Sequence, residues 1–313
     1  MRTLTSFNIA ATLLTLLMIG CDQTLELNAP FERKLVVYAI LSNRSETQTA
    51  RITTTEPDFA LAMQRSNTGE PGITVRITEG GVDYLFTDSL FVPDSIHLFV
   101  AYNLQVETGK EYSLAVHSPS LGTVTSSLTP PSQGRMFVDN PESLEVVDRV
   151  ARFPVGVTLG ANGAAFILRF YVEFEYMAGT ELRTERIEVP WRAEGGVSDS
   201  TRLTYPSILG RGQSQPFDAR WTDGASFSGD AYRYVIGRIK GLHSADGLRF
   251  RNAVFHLTQI DYPLYAYYST VNGFPGSGSL RLDEPDFTNI VGGHGVFGSE
   301  RVDEYSLALT PSL

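Results

Sequence analysis

Apolar and polar residues alternate with period two in short runs, broken by Gly, Pro, Asn and Asp, and this pattern predicts strands. Leu35 to Leu41 is an apolar run of strand length, and Ala50 to Thr53 reads as a Thr-rich strand at a sheet edge. Ile73, Val75 and Ile77 alternate with Thr74, Arg76 and Thr78. Glu79-Gly80-Gly81 then turns the chain into Tyr84-Leu85-Phe86, which makes a hairpin. Tyr112, Leu114 and Val116 alternate after the turn Thr108-Gly109-Lys110, and Pro130-Pro131 stops the strand Thr123 to Leu128. About seven strands in roughly 100 residues, with turns every ~8–12, predict an immunoglobulin-like β-sandwich over residues 34–131. The cysteine pair and central Trp of antibody domains are absent, so strand count and spacing carry the inference.

Pro130 to Gly134 reads as a boundary, with a second, larger antiparallel β domain at 135–313. Phe166, Leu168, Phe170, Val172, Phe174 and Tyr176 occupy alternate positions, with Arg169, Glu173 and Glu175 between them, so one face of this strand is apolar and the other wet. Leu182 to Val189 returns as a hairpin, and Tyr232 to Ile239, Phe250 to Ile260 and Tyr305 to Leu309 read as further strands. One short helix is predicted. Asp261 caps it, Pro263 suits its first turn, Leu264, Tyr265, Tyr268 and Val271 follow at helical spacing, and Asn272-Gly273 ends it. The fold class is therefore all-β.

The N-terminus points to a location. Arg2, the apolar run Ile9 to Ile19 and Leu17-Met18-Ile19-Gly20-Cys21 describe a secretory signal ending in a bacterial lipobox. Residues 1–20 are read as the signal peptide, Cys21 as the lipid attachment site and 21–33 as a tether. A lipobox cysteine carries several acyl chains, which hold a protein stably where a single chain does not. The expected location is the cell envelope, at the outer membrane. The 25 basic residues less Arg2 leave 24 against 35 acidic, a net charge of −11. That excess argues against nucleic acid as a partner. Cys21 is the only cysteine, so packing rather than disulfides must stabilise the body.

Candidate chemistry is sparse. His97, His117, His243, His256 and His294 have no metal-ligand spacing, no G-x-S-x-G elbow is present, and Asp283, Glu284 and Asp286 lack the calcium-loop pattern. No catalytic residue, metal or cofactor is assigned. Gly292-Gly293-His294-Gly295-Val296-Phe297-Gly298 does not open a helix, so it reads as a tight or bulged sheet edge rather than a phosphate cradle. Leu264, Tyr265 and Tyr268 form the packed face of the helix. Tyr267 and Phe274 lie off that stripe, and with His294 they are the candidate ligand-binding residues.

Several segments, in this order, resemble the family known as domain of unknown function 4249, lipoproteins of Bacteroidota-type bacteria. They are the lipobox, Leu35-Val36-Val37, Gly109-Lys110-Glu111-Tyr112-Ser113-Leu114, Leu128-Thr129-Pro130-Pro131 and Leu264-Tyr265-Ala266-Tyr267. Glu284-Pro285 and Asn289 to Gly298 complete the set. His294 stands where the family more often carries an apolar or aromatic residue. The resemblance brings no catalytic residue. It implies a neighbour of TonB-dependent outer-membrane receptors, and so a non-enzymatic binding or accessory component of an uptake system with a receptor protein as partner. An envelope or glycan hydrolase and a structural or adhesive surface module are the alternatives.

Overall fold

The computed structural model describes residues 31–56, 71–91, 96–139, 141, 144, 152–194, 202–212, 214–215, 223–243, 247–271 and 287–310. Cys21, Phe274 and the acidic group Asp283, Glu284 and Asp286 lie outside them. Residues Lys34–Leu313 form one compact unit.

The first seven strands are β1 (Leu35–Ser42), β2 (Gln48–Thr54), β3 (Thr74–Glu79), β4 (Val82–Phe91), β5 (Ile96–Ala101), β6 (Tyr112–Ser118) and β7 (Gly122–Leu128). β4 serves two sheets. Its first half, Val82 to Phe86, pairs with β3, and its second half, Thr87 to Phe91, pairs with β5. One layer is thus β1-β2-β5 and the other β3-β6-β7, with β4 turning the corner. That is the strand order of an immunoglobulin-like sandwich. Val37, Ala39, Leu41, Val75, Ile77, Leu114 and Val116 fill the space between the layers.

Tyr112 supplies a second hallmark. It opens β6, is fully buried, and its hydroxyl accepts a hydrogen bond from the Glu107 N–H at 2.7 Å. A tyrosine at that strand start, bonded to backbone a few residues upstream, is a tyrosine corner. β2 is not the edge strand that its threonines suggested. It lies between β1 and β5, because Ala50 and Ile52 face the core while only its other positions are polar.

The remaining strands are β8 (Arg135–Val138), β9 (Arg152–Thr158), β10 (Ala165–Ala178), β11 (Glu181–Val189), β12 (Arg192–Glu194), β13 (Arg202–Thr204), β14 (Leu209–Gly210), β15 (Ser214–Gln215), β16 (Gly224–Ser228), β17 (Arg249–Ile260) and β18 (His294–Ala308). Two helices accompany them among the described residues: α1 (Gly229–Leu242) and α2 (Tyr262–Val271). α1 corrects the expectation of a strand at Tyr232 to Ile239 and of a single helix. Ser228 caps it by accepting from the Asp230 N–H, and Tyr232, Val235, Ile236 and Ile239 recur at helical spacing on the buried side. The apolar faces of β10 and β17 close over α1 and the small sheet β15-β16-β9-β8. Phe170 sits at the centre, stacked on Phe255 at 4.6 Å and touching the rings of Phe153, Phe227 and Tyr232.

The large sheet runs β11-β10-β17-β18-β1-β2-β5-β4-β3-β6-β7, with β14 also on β10. β18 joins its two halves. From His294 to Glu300 it pairs with β1, and from Glu300 to Ala308 it pairs with β17. The β1–β18 ladder is parallel, as is β15–β16, so the sheets are mixed rather than purely antiparallel. A parallel pair needs a long connection, and no local pattern announces it. Ile290 and Phe297 accordingly belong to the sandwich core although they lie near the C-terminus.

The Pro130 to Gly134 segment is fastened down. The buried Gln259 donates to the Ser132 C=O and to Asp303, and accepts from the Gly160 N–H at 2.7 Å. Asp303 accepts from the Gly134 N–H at 3.0 Å. A Cβ on Gly160 would lie 2.1 Å from the Ser132 carbonyl oxygen, so only glycine fits there.

Candidate functional site

The glycine-rich run turns at Gly292 and Gly293 and opens β18 at His294, so the next strand starts inside the run. Three of its four glycines face a neighbour at close range. A Cβ on Gly295 would meet the Val37 carbonyl oxygen at 2.0 Å, one on Gly293 the Leu35 carbonyl oxygen at 2.7 Å, and one on Gly298 the Leu264 Cβ at 2.8 Å. Gly292 and Gly295 also have φ of 83° and 103°. The run therefore lets β18 press against β1 on one side and lets α2 settle on it. Asn289 holds the entry to this strand. Its carboxamide oxygen accepts from the Phe297 N–H, and its nitrogen donates to the Phe297 C=O. Val291 exchanges backbone hydrogen bonds with Thr125 of β7.

α2 covers the outward face of the β1–β18 seam. Asp261 positions it. Oδ1 accepts from the Leu264 N–H at 3.0 Å, and Oδ2 accepts from the Ser299 hydroxyl at 2.7 Å. Burial pushes the Asp261 carboxyl up to about 6, against these hydrogen bonds. Leu264 is buried, and Tyr265 and Tyr268 pack beside it against Ile260 and Ile40, as their spacing predicts.

Tyr267 and His294 come to the same side of the sheet. In the β1–β18 register Val36 opposes His294 and Tyr38 opposes Val296, so Val36, Tyr38 and His294 share the outward face. Tyr267 reaches down from α2 and meets Tyr38 edge-on, with ring centroids 5.7 Å apart. It is half-buried by that contact, and burial pushes its hydroxyl up to about 12. His294 is exposed on that same outward face. Tyr262, at the first turn of α2, is the most open ring of the group at 66 % exposure, and Phe287 packs edge-on to it. Sequence reasoning missed Tyr38. Tyr38 lies at an outward position of an apolar strand, and only the helix above it turns that position into a surface feature.

The sequence model of the family described as Domain of unknown function (DUF4249) matches residues 22–306. The chain belongs to the DUF4249 family. No curated protein matches it. The stretch Asn289 to Gly298, the most specific part of the resemblance, is in this DUF4249 member the side-chain clamp and the glycine close approach that seat β18 against β1 and α2.

A second polar constellation lies on the outward face of β11, β10, β17 and β18. Arg186 donates from Nε to Glu173 at 2.7 Å and through both terminal nitrogens to Glu304. Glu304 also meets His256 Nε2 at 3.0 Å, and Asn252 donates to Glu173 at 2.6 Å. Hydrogen bonds from Arg186 hold Glu304 below the usual carboxylate range. Burial would raise Glu173, but Asn252 and Arg186 outweigh it and hold that carboxyl low as well. Burial pushes His256 down despite Glu304, and the Tyr171 ring lies 4.8 Å from it. These side chains link four strands in register over the fully buried Val254. Among the described residues no group of three or more His, Cys, Asp or Glu is arranged to hold a metal ion.

Proposed function

We propose that this DUF4249 member is a lipoprotein held at the outer membrane through Cys21, where it binds a receptor protein of an uptake system without catalysing a reaction. The face built from β1, β18 and α2 is the contact surface. The observation that carries this reading is the Tyr38–Tyr267 pair with His294 and Val36 on one outward face and the open ring of Tyr262 at the first turn of α2. Aromatic rings already held by packing lose little conformational freedom when a partner covers them, which is why such residues anchor protein contacts. The lipobox ending at Cys21 supports the location, and the net acidity of the mature chain speaks for a protein partner over anionic lipid or nucleic acid.

A photo-crosslinking residue placed at Tyr262 or His294 tests this in intact cells. The expected result is a discrete adduct with an outer-membrane β-barrel protein from both positions. Leu85, exposed on the β3–β4 hairpin, is the control and is expected to give none. Adducts of the same pattern from all three positions, or none from Tyr262 and His294, overturn the assignment of this face.

A further inference from the structure

β11 ends the large sheet. Among the described residues it pairs with β10 alone, and Glu181 to Arg186 are exposed in unbroken succession. The two-residue loop Gly179-Thr180 closes on the pair Ala178–Glu181. That closing pair exchanges both backbone hydrogen bonds, and the pattern alternates from there. The N–H and C=O groups of Leu182, Thr184 and Arg186 therefore point away from β10, toward the open edge. A long free edge is a template for another strand, and charged side chains are the usual block.

Here charge and strand geometry together leave one symmetric pairing. When a strand pairs antiparallel with its own copy about a two-fold axis normal to the sheet, the axis must pass beside one residue, which then faces itself. Centring on Arg183 or Arg186 sets arginine against arginine, and centring on Glu185 sets glutamate against glutamate. Centring on Leu182 runs the hairpin loop into the partner, and centring on Ile187 engages the buried end at Val189 and Pro190. Centring on Thr184 sets Thr184 against Thr184, Arg183 against Glu185, Leu182 against the stem of Arg186, and Glu181 against Ile187. Two opposite-charge pairs form across the axis, no like charges meet, and the three outward-pointing residues exchange about six backbone hydrogen bonds. The ion pair that Arg183 now makes with Glu181 is exposed and therefore weak.

We infer that β11 is a homodimer edge, and that two copies of this chain join their sheets antiparallel with the two-fold axis at Thr184. Tethering to one membrane would concentrate the two copies and favour the contact.

The test is sedimentation velocity on the full chain in detergent, with charge reversals at the edge. Wild type is expected to show a dimer that weakens with salt. Arg183→Glu alone and Glu185→Arg alone should each weaken it about 10-fold or more, since each sets like charges opposite one another. An equal mixture of the two variants should recover a one-to-one heterodimer. The two substituted side chains then face each other as an opposite-charge pair, and the native Glu185 and Arg183 form the second pair across the axis. The double reversal on one chain should recover the homodimer, which covers the case in which a single variant folds badly. A monomeric wild type, single variants that dimerise as wild type does, or a mixture and a double reversal that both stay monomeric overturn the inference.

Discussion

Asn289 and Phe297 are paired as though both were strand residues. The Asn289 carboxamide accepts from the Phe297 N–H at 2.9 Å and donates to the Phe297 C=O at 2.7 Å. Asn43 does the same to Val302 farther along β18, where β1 has already turned away. Side-chain amides thus continue the hydrogen-bond ladder at two places where no backbone is available.

Asn289→Ala should leave both backbone groups of Phe297 without these partners and cost on the order of 2 kcal/mol in urea unfolding. Asn289→Asp keeps the acceptor but turns an oxygen toward the Phe297 carbonyl, so it should cost at least as much. Equal stability of Asn289→Ala and wild type would show that the clamp does not hold the seam.

The glycines of the seam should separate by mechanism. Gly292 has positive φ and nothing within 3.7 Å of a Cβ, so Gly292→Ala should cost only the backbone strain, about 1 kcal/mol. Gly295 has positive φ and a carbonyl oxygen in the Cβ position, so Gly295→Ala should cost ~3 kcal/mol or more. His294→Ala, exposed between them, should be near neutral. Comparable melting temperatures for the two glycine variants would contradict the close approach.

A fragment of residues 34–131 should fold poorly by itself. It lacks Ile290 and Phe297 from the core and leaves β1 without its parallel neighbour. Thermal melting followed by circular dichroism should be broad or the fragment insoluble, whereas the full body melts cooperatively. A sharp transition in the fragment would show that β18 is an accessory to the sandwich and not a part of it.

Much of this architecture is legible in the local sequence. Six of the seven sandwich strands, all but β5, announce themselves through period and turns, as do the β10–β11 hairpin and, through its Asp261 cap, α2. α1 does not. Tyr232, Tyr234 and Ile236 alternate as a strand would, and Gly237 and Gly241 weaken the helical signal. The apolar surface of β10 overrides that pattern, since it buries Tyr232, Val235, Ile236 and Ile239 together. The β1–β18 pairing spans most of the chain, so no window of sequence contains it. The shared face of Tyr267 and His294 was hidden for the same reason, because it depends on the register that sets Val36 opposite His294. The edge chemistry of β11, by contrast, can be read from a short stretch of residues once its free side is known.

The anchor has its own test. Among the described residues no helix is long and apolar enough to cross a membrane. If Cys21 carries the lipid, Cys21→Ser should move the protein from the membrane pellet to the soluble fraction and abolish incorporation of labelled fatty acid. Retention in the pellet with lipid label intact would show that the attachment lies elsewhere.

Asp261 should make stability depend on pH in an unusual direction. Its carboxyl stands at about 6 in the folded chain against 3.8 for an ordinary aspartate, because burial penalises its charge. Between these values the folded state holds a proton that the unfolded state has lost. Stability from this group is therefore complete below pH ~4, falls as pH rises through about 6, and changes no further above that. The two units correspond to on the order of 3 kcal/mol. Glu173 and Glu304, held low by Arg186 and its neighbours, slope the opposite way at lower pH, so the measurement must be a difference. Asp261→Asn keeps an oxygen for the Leu264 N–H and has no charge to lose. Wild type should therefore lose stability relative to Asp261→Asn between pH ~4 and ~6, by chemical denaturation at each pH. A constant difference across that range would mean that the buried carboxyl is already ionised at acid pH, and that Ser299 and the first turn of α2 fully compensate its burial.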